Sequence, residues 1–270
     1  MGLRPPAASA PRPSRPAAGI TLSESAGVRY LHFGTEWIQG AMRIAHPDRL
    51  ELEYQQQMMA PLLLLPRPRR ILQLGLGAAA LTKFCRRHLP FAETVVVELD
   101  QTVIGTARRW FALPEDEDGR LTVVCDDALA FLQRPRRRGY SDWLQVDLYD
   151  ARARGPVYDD LLFYLACRQS LREPGIATFN LFGRRCGPSL DRIAAAFDGR
   201  VIVMEEARAG NRIAVAAVGP TIRIAQAQLR KRALAIEAGP GLPARRWLKG
   251  LRRHAGPGPQ ARAAPEGLSL

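Results

Sequence analysis

The sequence of 270 residues contains only four cysteines and no long apolar run. The cysteines are widely spaced and form no CxxC pair, which argues against a zinc site and favours a reducing compartment. No uninterrupted apolar run reaches the roughly 18 residues that a membrane-spanning helix needs. The segment MGLRPPAASAPRPSRPAAG lacks the apolar core of a secretory signal. We therefore expect a cytoplasmic protein with no metal and no membrane span.

Acidic residues are scarce in two parts of the chain, and this accounts for most of the formal net charge of +13. Residues 1–19 contain three arginines and no acid, and residues 221–270 contain ten lysines and arginines against two glutamates. The segment 20–220 is close to neutral and contains no compact nucleic-acid-binding motif. We expect at most weak contacts of the basic flanks with nucleic acid.

The middle of the chain alternates apolar strands with helices. RILQLGLG, TVVVELD, LTVVC, WLQVDLYD and IATFNLF have strand patterns and are separated by helical segments; VIVMEEA and RIAVAAV then flank RAGN as a hairpin. This order predicts an α/β fold with a Rossmann-like seven-stranded sheet of the S-adenosylmethionine-dependent methyltransferase type, covered on both faces.

The pattern also divides the chain into four parts. Residues 1–19 are expected to form a disordered basic lead-in, and residues 20–60 a small N-terminal β segment with a linking helix. The segment LELEYQQQMMAPLLLLP is predicted to be one helix that ends at Pro66. Residues 61–220 are expected to form the Rossmann-like catalytic domain. Residues 221–270 are expected to contain basic C-terminal helices and a disordered tail.

Glycines and acids follow the first three strands of the predicted sheet. Ligands of such sheets bind beyond the carboxyl ends of the strands, so these residues are expected to lie together. Gly75 and Gly77 allow a tight turn and close approach of the backbone to a ligand. Glu98 follows at the spacing of an acid that binds ribose hydroxyls. Asp127 is placed to accept a hydrogen bond from an adenine amino group, while Asp126 suits a helix N-cap.

Two acids three residues apart, Asp147 and Asp150, follow the fourth strand. An alkyl amine is protonated near pH 7, since its pKa is about 10 like that of lysine. A carboxylate within hydrogen-bond reach binds such a cation and accepts its proton. The pair therefore suits an amine substrate, although a polar loop cap is the alternative interpretation of both acids.

The chain from Trp37 to about Gly183 resembles the spermidine synthase (polyamine aminopropyltransferase) family. The elements that carry the resemblance, in order, are WIQG, EYQQQMM, LPRPRRILQLGLG, VVVELD, CDDALAFL, VDLYD and LLFY followed by EPGI. The resemblance implies transfer of an aminopropyl group from decarboxylated S-adenosylmethionine to an amine such as putrescine. It also implies a homodimer by analogy.

The resemblance implies a role for each matching residue. Asp147 is the expected general base, and Asp150, Tyr54 and Gln55 are expected to hold the amine. The nucleoside donor is expected to be bound by a further set, comprising Gln39, Gly75, Gly77, Glu98 and Asp127.

The chain departs from the family at the glycine loop, where the family has GGGDGG and this sequence has Gly-Leu-Gly-Ala-Ala-Ala from Gly75 to Ala80. Ala78 replaces the aspartate that meets the cationic end of the aminopropyl donor in the family. The loop DLYDARARGP adds Arg152 and Arg154, which disfavour a polyamine if they face the acceptor. These departures leave two alternatives open: an S-adenosylmethionine-dependent methyltransferase on the same scaffold, and a catalytically silent relative.

Overall fold

The computed structural model describes residues 19–149, 156–183, 186–256, 261–262 and 267–270. The first described elements form a three-stranded antiparallel sheet of β1 (Ile20–Ser25), β2 (Val28–Phe33) and β3 (Gly40–Arg43). The short helix α1 (Glu53–Met58) links this N-terminal sheet to the rest of the chain.

The predicted continuous helix across LELEYQQQMMAPLLLLP is wrong. Helix α1 ends at Met58, and a separate 3-10 helix covers Ala60–Leu63. Pro61 explains the break, because its ring has no N–H to donate and clashes with the carbonyl of the preceding turn. Proline is accepted in the first turn of the 3-10 helix, where an N–H has no partner within the helix.

The large sheet contains the seven predicted strands. In chain order they are β4 (Arg70–Leu74), β5 (Glu93–Glu98), β6 (Leu121–Cys125), β7 (Ser141–Val146), β8 (Leu171–Phe182), β9 (Val201–Val203) and β10 (Asn211–Val218). Their spatial order is β9-β10-β8-β7-β4-β5-β6. The pairs among β4 to β8 are parallel, while β10 is antiparallel to both β8 and β9. The predicted α/β fold class and terminal hairpin are confirmed, whereas the predicted count of seven strands is too low for this sheet.

Helices cover both faces of this sheet. They are α2 (Ala80–His88), α3 (Gln101–Trp110), α4 (Ala128–Leu132), α5 (Leu161–Gln169) and α6 (Gly187–Ala196). Consecutive residues of a strand point to opposite faces, so Ile71 belongs to one apolar cluster and Leu72 to the other. Burial on both faces explains why the central strands are continuously apolar.

The C-terminal segment adds to this framework. After β11 (Arg223–Ala225) come α7 (Gln226–Ala238) and α8 (Ala244–Gly250). The strand β12 (Arg252–Arg253) pairs with β9, and β13 (Ala261–Arg262) pairs with β12, which extends the large sheet to nine strands. The last strand, β14 (Gly267–Ser269), pairs with β11.

The end of the chain is packed against the core. Leu268 and Leu270 are buried in the same apolar cluster as Trp247 of α8. Nη2 of Arg200 donates to the carbonyl oxygen of Leu270 over 3.0 Å. The loose end expected for this segment therefore does not include residues 267–270.

Candidate functional site

The glycine turn after β4 brings the ends of two neighbouring strands into contact. Gly75 has φ +94°, and a Cβ built on it would lie 2.2 Å from the carbonyl oxygen of Asp147. A side chain at position 75 would therefore displace the end of β7. Gly77 has φ +51°, and the carbonyl oxygen of Gln39 lies 3.5 Å from the position of its missing Cβ. The turn thus forms a narrow cradle between Gln39 and Asp147.

The second half of this turn differs from the glycine loop that it resembles. The side chain of Ala78 is buried in an apolar cluster with Leu31, Met42 and Phe111. Ala79, where the resembled loop has glycine, adopts the left-handed conformation with φ 55° and ψ 23° just before α2. This conformation is unfavourable for a residue with a Cβ. The geometry of a glycine loop is therefore kept although the glycine is absent.

Glu98 at the end of β5 is fixed by backbone groups. Its Oε2 accepts a hydrogen bond from the backbone N–H of Leu76 over 2.9 Å, and its Oε1 accepts one from Asp100 over 3.0 Å. Burial raises the pKa of the carboxyl, while these N–H donors oppose the shift. Each carboxylate oxygen has a second lone pair, so the oriented carboxylate can still accept a hydrogen bond from a hydroxyl group.

The acids after β6 have roles in the local structure. The side chain of Asp127 caps α4 by accepting a hydrogen bond from the backbone N–H of Ala130 over 2.8 Å. Its other oxygen accepts a hydrogen bond from the Tyr158 hydroxyl. Asp126 instead forms an ion pair with Arg134 at 2.5 Å. The suggestion that Asp126 caps the helix is wrong, since α4 begins one residue later than that assignment requires.

Asp147 lies at the end of β7 in a network of neutral hydrogen-bond donors. Its Oδ1 accepts a hydrogen bond from Nδ2 of Asn180 over 2.8 Å, and its Oδ2 accepts one from the Tyr54 hydroxyl over 3.3 Å. Burial raises the pKa of the carboxyl, and these two hydrogen bonds counteract the increase. The result is a carboxylate held in one orientation and poised to accept a proton.

The amide of Gln55 lies beside this carboxylate. Its Nε2 donates to the Tyr54 hydroxyl over 3.3 Å, while its Oε1 is buried and accepts no hydrogen bond from the described residues. Burial and the negative charge of Asp147 raise the pKa of Tyr54, so its hydroxyl remains a donor at neutral pH. A phenolic oxygen, a carboxylate and an amide oxygen together suit the N–H groups of an amine.

Eight of the nine predicted site residues therefore lie along one edge of the sheet. The carbonyl oxygen of Gln39 lies next to Gly77. The Glu98 carboxylate accepts a hydrogen bond from the backbone N–H of Leu76 in the turn. Asp126, the residue before Asp127, donates its backbone N–H to the Glu98 carbonyl. Gly75 contacts Asp147, which binds Tyr54. The ninth residue, Asp150, lies outside the described residues, as do Arg152 and Arg154.

The structure adds residues that the motifs did not identify. Asn180 lies near the carboxyl end of the neighbouring strand β8 and donates a hydrogen bond to Asp147. Three aromatic side chains lie on the same side: Phe182 contacts Trp37 with ring centroids 6.2 Å apart and Tyr149 with ring centroids 6.4 Å apart. Trp37 is 58% exposed, so this aromatic surface is open to a ligand. The signal in the sequence is the polar Asn180 within the otherwise apolar strand segment IATFNLF.

The described residues contain no group of three or more histidines, cysteines or acids arranged to hold a metal ion. Among the same residues, no helix is long and apolar enough to cross a membrane.

The chain is similar to known proteins over most of its length. Residues 51–180 match the family described as spermine/spermidine synthase domain. A polyamine aminopropyltransferase from Chromobacterium violaceum is 33% identical and aligns over 83% of this chain and 85% of its own. Putrescine N-methyltransferase 1 from Nicotiana tabacum is 30% identical over 49% of this chain and 36% of its own. The structure of a probable spermidine synthase from Corynebacterium glutamicum superposes with a TM-score of 0.69 at 18% identity, covering 84% and 86% of the two chains.

Proposed function

Because the chain belongs to the polyamine aminopropyltransferase family and is a transferase, we propose that it moves an aminopropyl group from decarboxylated S-adenosylmethionine to putrescine or a similar amine. The observation that carries the proposal is the position of Asp147. The backbone carbonyl of this residue lies against the glycine turn, and its partly buried carboxylate accepts a hydrogen bond from the Tyr54 hydroxyl. A base between a nucleoside cradle and an amine-binding side chain is the arrangement that this transfer requires.

In the proposed reaction, the amine binds between Tyr54, Gln55 and Asp147. Asp147 accepts a proton from the ammonium group, which leaves a nitrogen lone pair. That lone pair attacks the aminopropyl carbon next to the sulfonium. A C–N bond forms as the C–S bond breaks, and methylthioadenosine leaves with the electron pair on sulfur.

The nucleoside is proposed to lie in the cradle of the glycine turn. Glu98 would accept hydrogen bonds from the ribose hydroxyls, and Gly77 admits the ligand because it has no Cβ. Asp127 would accept a hydrogen bond from the adenine amino group, and Gln39 would close the opposite side. Preorganisation supports these roles, because backbone N–H groups orient Glu98 and Asp127 before any ligand binds.

Ala78 is the observation that favours a second candidate. An aspartate at that position would bind the cationic end of the aminopropyl donor, and its loss removes a charge-assisted hydrogen bond worth about 1.5–3 kcal/mol. Ordinary S-adenosylmethionine carries a carboxylate that an aspartate would repel. A methyltransferase acting on an amine is therefore the alternative to aminopropyl transfer.

The test compares the two donors with the same purified protein. Mass spectrometry of a reaction with putrescine should detect an aminopropyl adduct and methylthioadenosine when decarboxylated S-adenosylmethionine is supplied. Calorimetry should show that this donor binds more tightly than ordinary S-adenosylmethionine. Tenfold tighter binding of the ordinary donor, together with a methylated amine, would establish the methyltransferase instead. Failure to bind either donor or methylthioadenosine would identify a silent relative.

Two further proposals concern the setting of the enzyme. Its four cysteines are all free, which supports a reducing compartment such as the cytoplasm. Exposed Ile38 and Ile44 beside the N-terminal sheet support a homodimer through that sheet. Sedimentation analysis of the protein and of an Ile38→Glu/Ile44→Glu variant tests the dimer, since only the parent should self-associate.

A further inference from the structure

The chain contains two asparagines, Asn180 and Asn211, and the structure places them in contact with each other. Nδ2 of Asn211, at the start of β10, donates to Oδ1 of Asn180, near the end of β8, over 3.0 Å. Both side chains are buried, with 3% and 7% of their surfaces exposed. Burying an amide costs free energy unless its polar atoms are hydrogen-bonded. The partners of these two amides therefore show what the pair does.

The direction of these hydrogen bonds has a consequence for Asp147. An amide has an acceptor on one side and a donor on the other. Because Asn211 donates to Oδ1 of Asn180, the Nδ2 of Asn180 is turned towards Asp147, where it donates over 2.8 Å. Rotating the Asn180 amide by half a turn would place its Oδ1 against Oδ1 of Asp147, and two acceptors cannot form a hydrogen bond. Asn211 therefore fixes which end of Asn180 faces the carboxylate.

The neighbouring residues hold this arrangement in place. The Tyr149 hydroxyl donates to the backbone carbonyl of Asn180 over 2.9 Å, which anchors the strand at that point. Asn180 binds Oδ1 of Asp147, so Oδ2, on the Tyr54 side, is left to face an amine.

We propose that Asn180 and Asn211 are positioning residues that hold Asp147 ionised and aimed at the amine. This inference rests on the proposed function, because it assigns a role to residues behind its general base. Asn180 acts through Asp147, and Asn211 acts through Asn180. The hydrogen bond from Asn180 favours the charged form of a carboxylate whose burial disfavours it.

The other titratable groups that face this carboxylate stay neutral over the acidic range. They are Tyr54 from α1 and Tyr149 from the loop after β7; burial raises the pKa of each. Arg212 of β10 is paired with Glu206 at 2.7 Å. Asp150 lies outside the described residues. A shift of the acidic limb of the activity profile is therefore assigned to Asp147.

The test measures kcat/KM against pH in three single variants. In Asn180→Ala, the acidic limb should move up by about one pH unit, and the plateau rate should fall at least about tenfold. Asn211→Asp should shift the acidic limb in the same direction. The new carboxylate accepts a hydrogen bond from Nδ2 of Asn180, which turns Oδ1 of Asn180 towards Asp147. Affinity for methylthioadenosine should stay within about twofold in both variants, since neither residue touches the nucleoside cradle.

Thr178→Val is the matched control. Thr178 is buried on the same face of β8, two residues before Asn180, and bonds to Trp143 and the Leu144 carbonyl instead of Asp147. It should lower the thermal midpoint without moving the acidic limb. An unchanged limb in Asn180→Ala, or an equal shift in Thr178→Val, would overturn the proposal.

A second readout separates this proposal from the proposed function. The Asp147 carboxyl can be titrated by 13C NMR in protein labelled at aspartate, with Asp147→Asn used to assign the signal. Asn180→Ala should raise its titration midpoint relative to the parent protein. If the parent transfers no aminopropyl group, the proposed function fails, while the NMR shift still decides the positioning role.

Discussion

The methyl group of Ala78 fills the space that a side chain on Gly40 would occupy. A Cβ built on Gly40 would lie 2.5 Å from the Cβ of Ala78 and 3.0 Å from its backbone nitrogen. The turn after β4 therefore packs directly on β3 of the N-terminal sheet. The residue at position 78 therefore affects both the part of the site that would bind the aminopropyl donor and the contact between the two sheets.

This contact predicts a coupling between the two positions. Gly40→Ala should destabilise the fold by about 1–3 kcal/mol, because overpacking forces the backbone to shift. Ala78→Gly should recover part of that loss in the double variant, since the methyl that clashes is gone. Urea unfolding of the four proteins gives the coupling energy; strictly additive effects would show that the two positions do not touch.

The left-handed Ala79 predicts a stabilising substitution. Ala79→Gly should raise the free energy of unfolding by less than about 1 kcal/mol, since removing the Cβ relieves about 1–2 kcal/mol of backbone strain but also removes a methyl group buried in an apolar cluster. The matched control is Ala80→Gly, one residue later at the start of α2. That variant should lower stability by about 0.5–1 kcal/mol, as glycine does in a helix. Loss of stability in Ala79→Gly would contradict the assignment of strain.

Asp147 is predicted to be required for the chemical step. Asp147→Asn should reduce kcat at least about a hundredfold, because the amide accepts no proton. Methylthioadenosine should bind to it as to the parent, which calorimetry can measure. Asp126→Asn is the control, since Asp126 forms an ion pair with Arg134 away from the amine. An unchanged rate in Asp147→Asn would remove this residue from the catalytic role.

Lys83 predicts an unusual pH dependence of stability. It is buried on α2, its Nζ donates to the Phe111 carbonyl over 2.6 Å, and burial lowers its pKa to about 7. The unfolded chain therefore binds more protons at this site between pH 7 and 10.5, so the contribution of Lys83 to stability increases with pH in that range.

Replacing this lysine should remove the pH-dependent contribution. The difference in unfolding free energy between the parent and Lys83→Met should change by a few kcal/mol, roughly 2–4, in favour of the parent from pH 7 to 9.5. Using the difference cancels the titration of cysteines and tyrosines. Lys231→Met, at an exposed position of α7, should leave the pH dependence unchanged. The same slope in both variants would contradict a shifted pKa for Lys83.

The order of strands and helices follows from the amino-acid sequence alone, because burial on both faces of a parallel sheet demands continuous apolar strands. The sequence also determined which acids and glycines end the strands, since parallel strands present their carboxyl ends at one edge. The helix at EYQQQMM was overextended because an apolar run does not reveal that Pro61 starts a separate turn. The C-terminal segment is predicted to contain helices and a disordered tail, yet Arg252 and Arg253 form a strand. So short a strand has no periodic pattern that would reveal it.

The contacts that hold the site residues in place are visible only in the folded molecule. The motif identified Asp147, but its orientation depends on Asn180, which is separated from it by a helix and lies on the adjacent strand. Likewise, Ala78 reads as a lost aspartate in the sequence, whereas the structure shows its methyl packed against Gly40. Local patterns report burial and backbone preference along the chain. Hydrogen bonds and close contacts between distant residues arise only when the strands that carry them are paired.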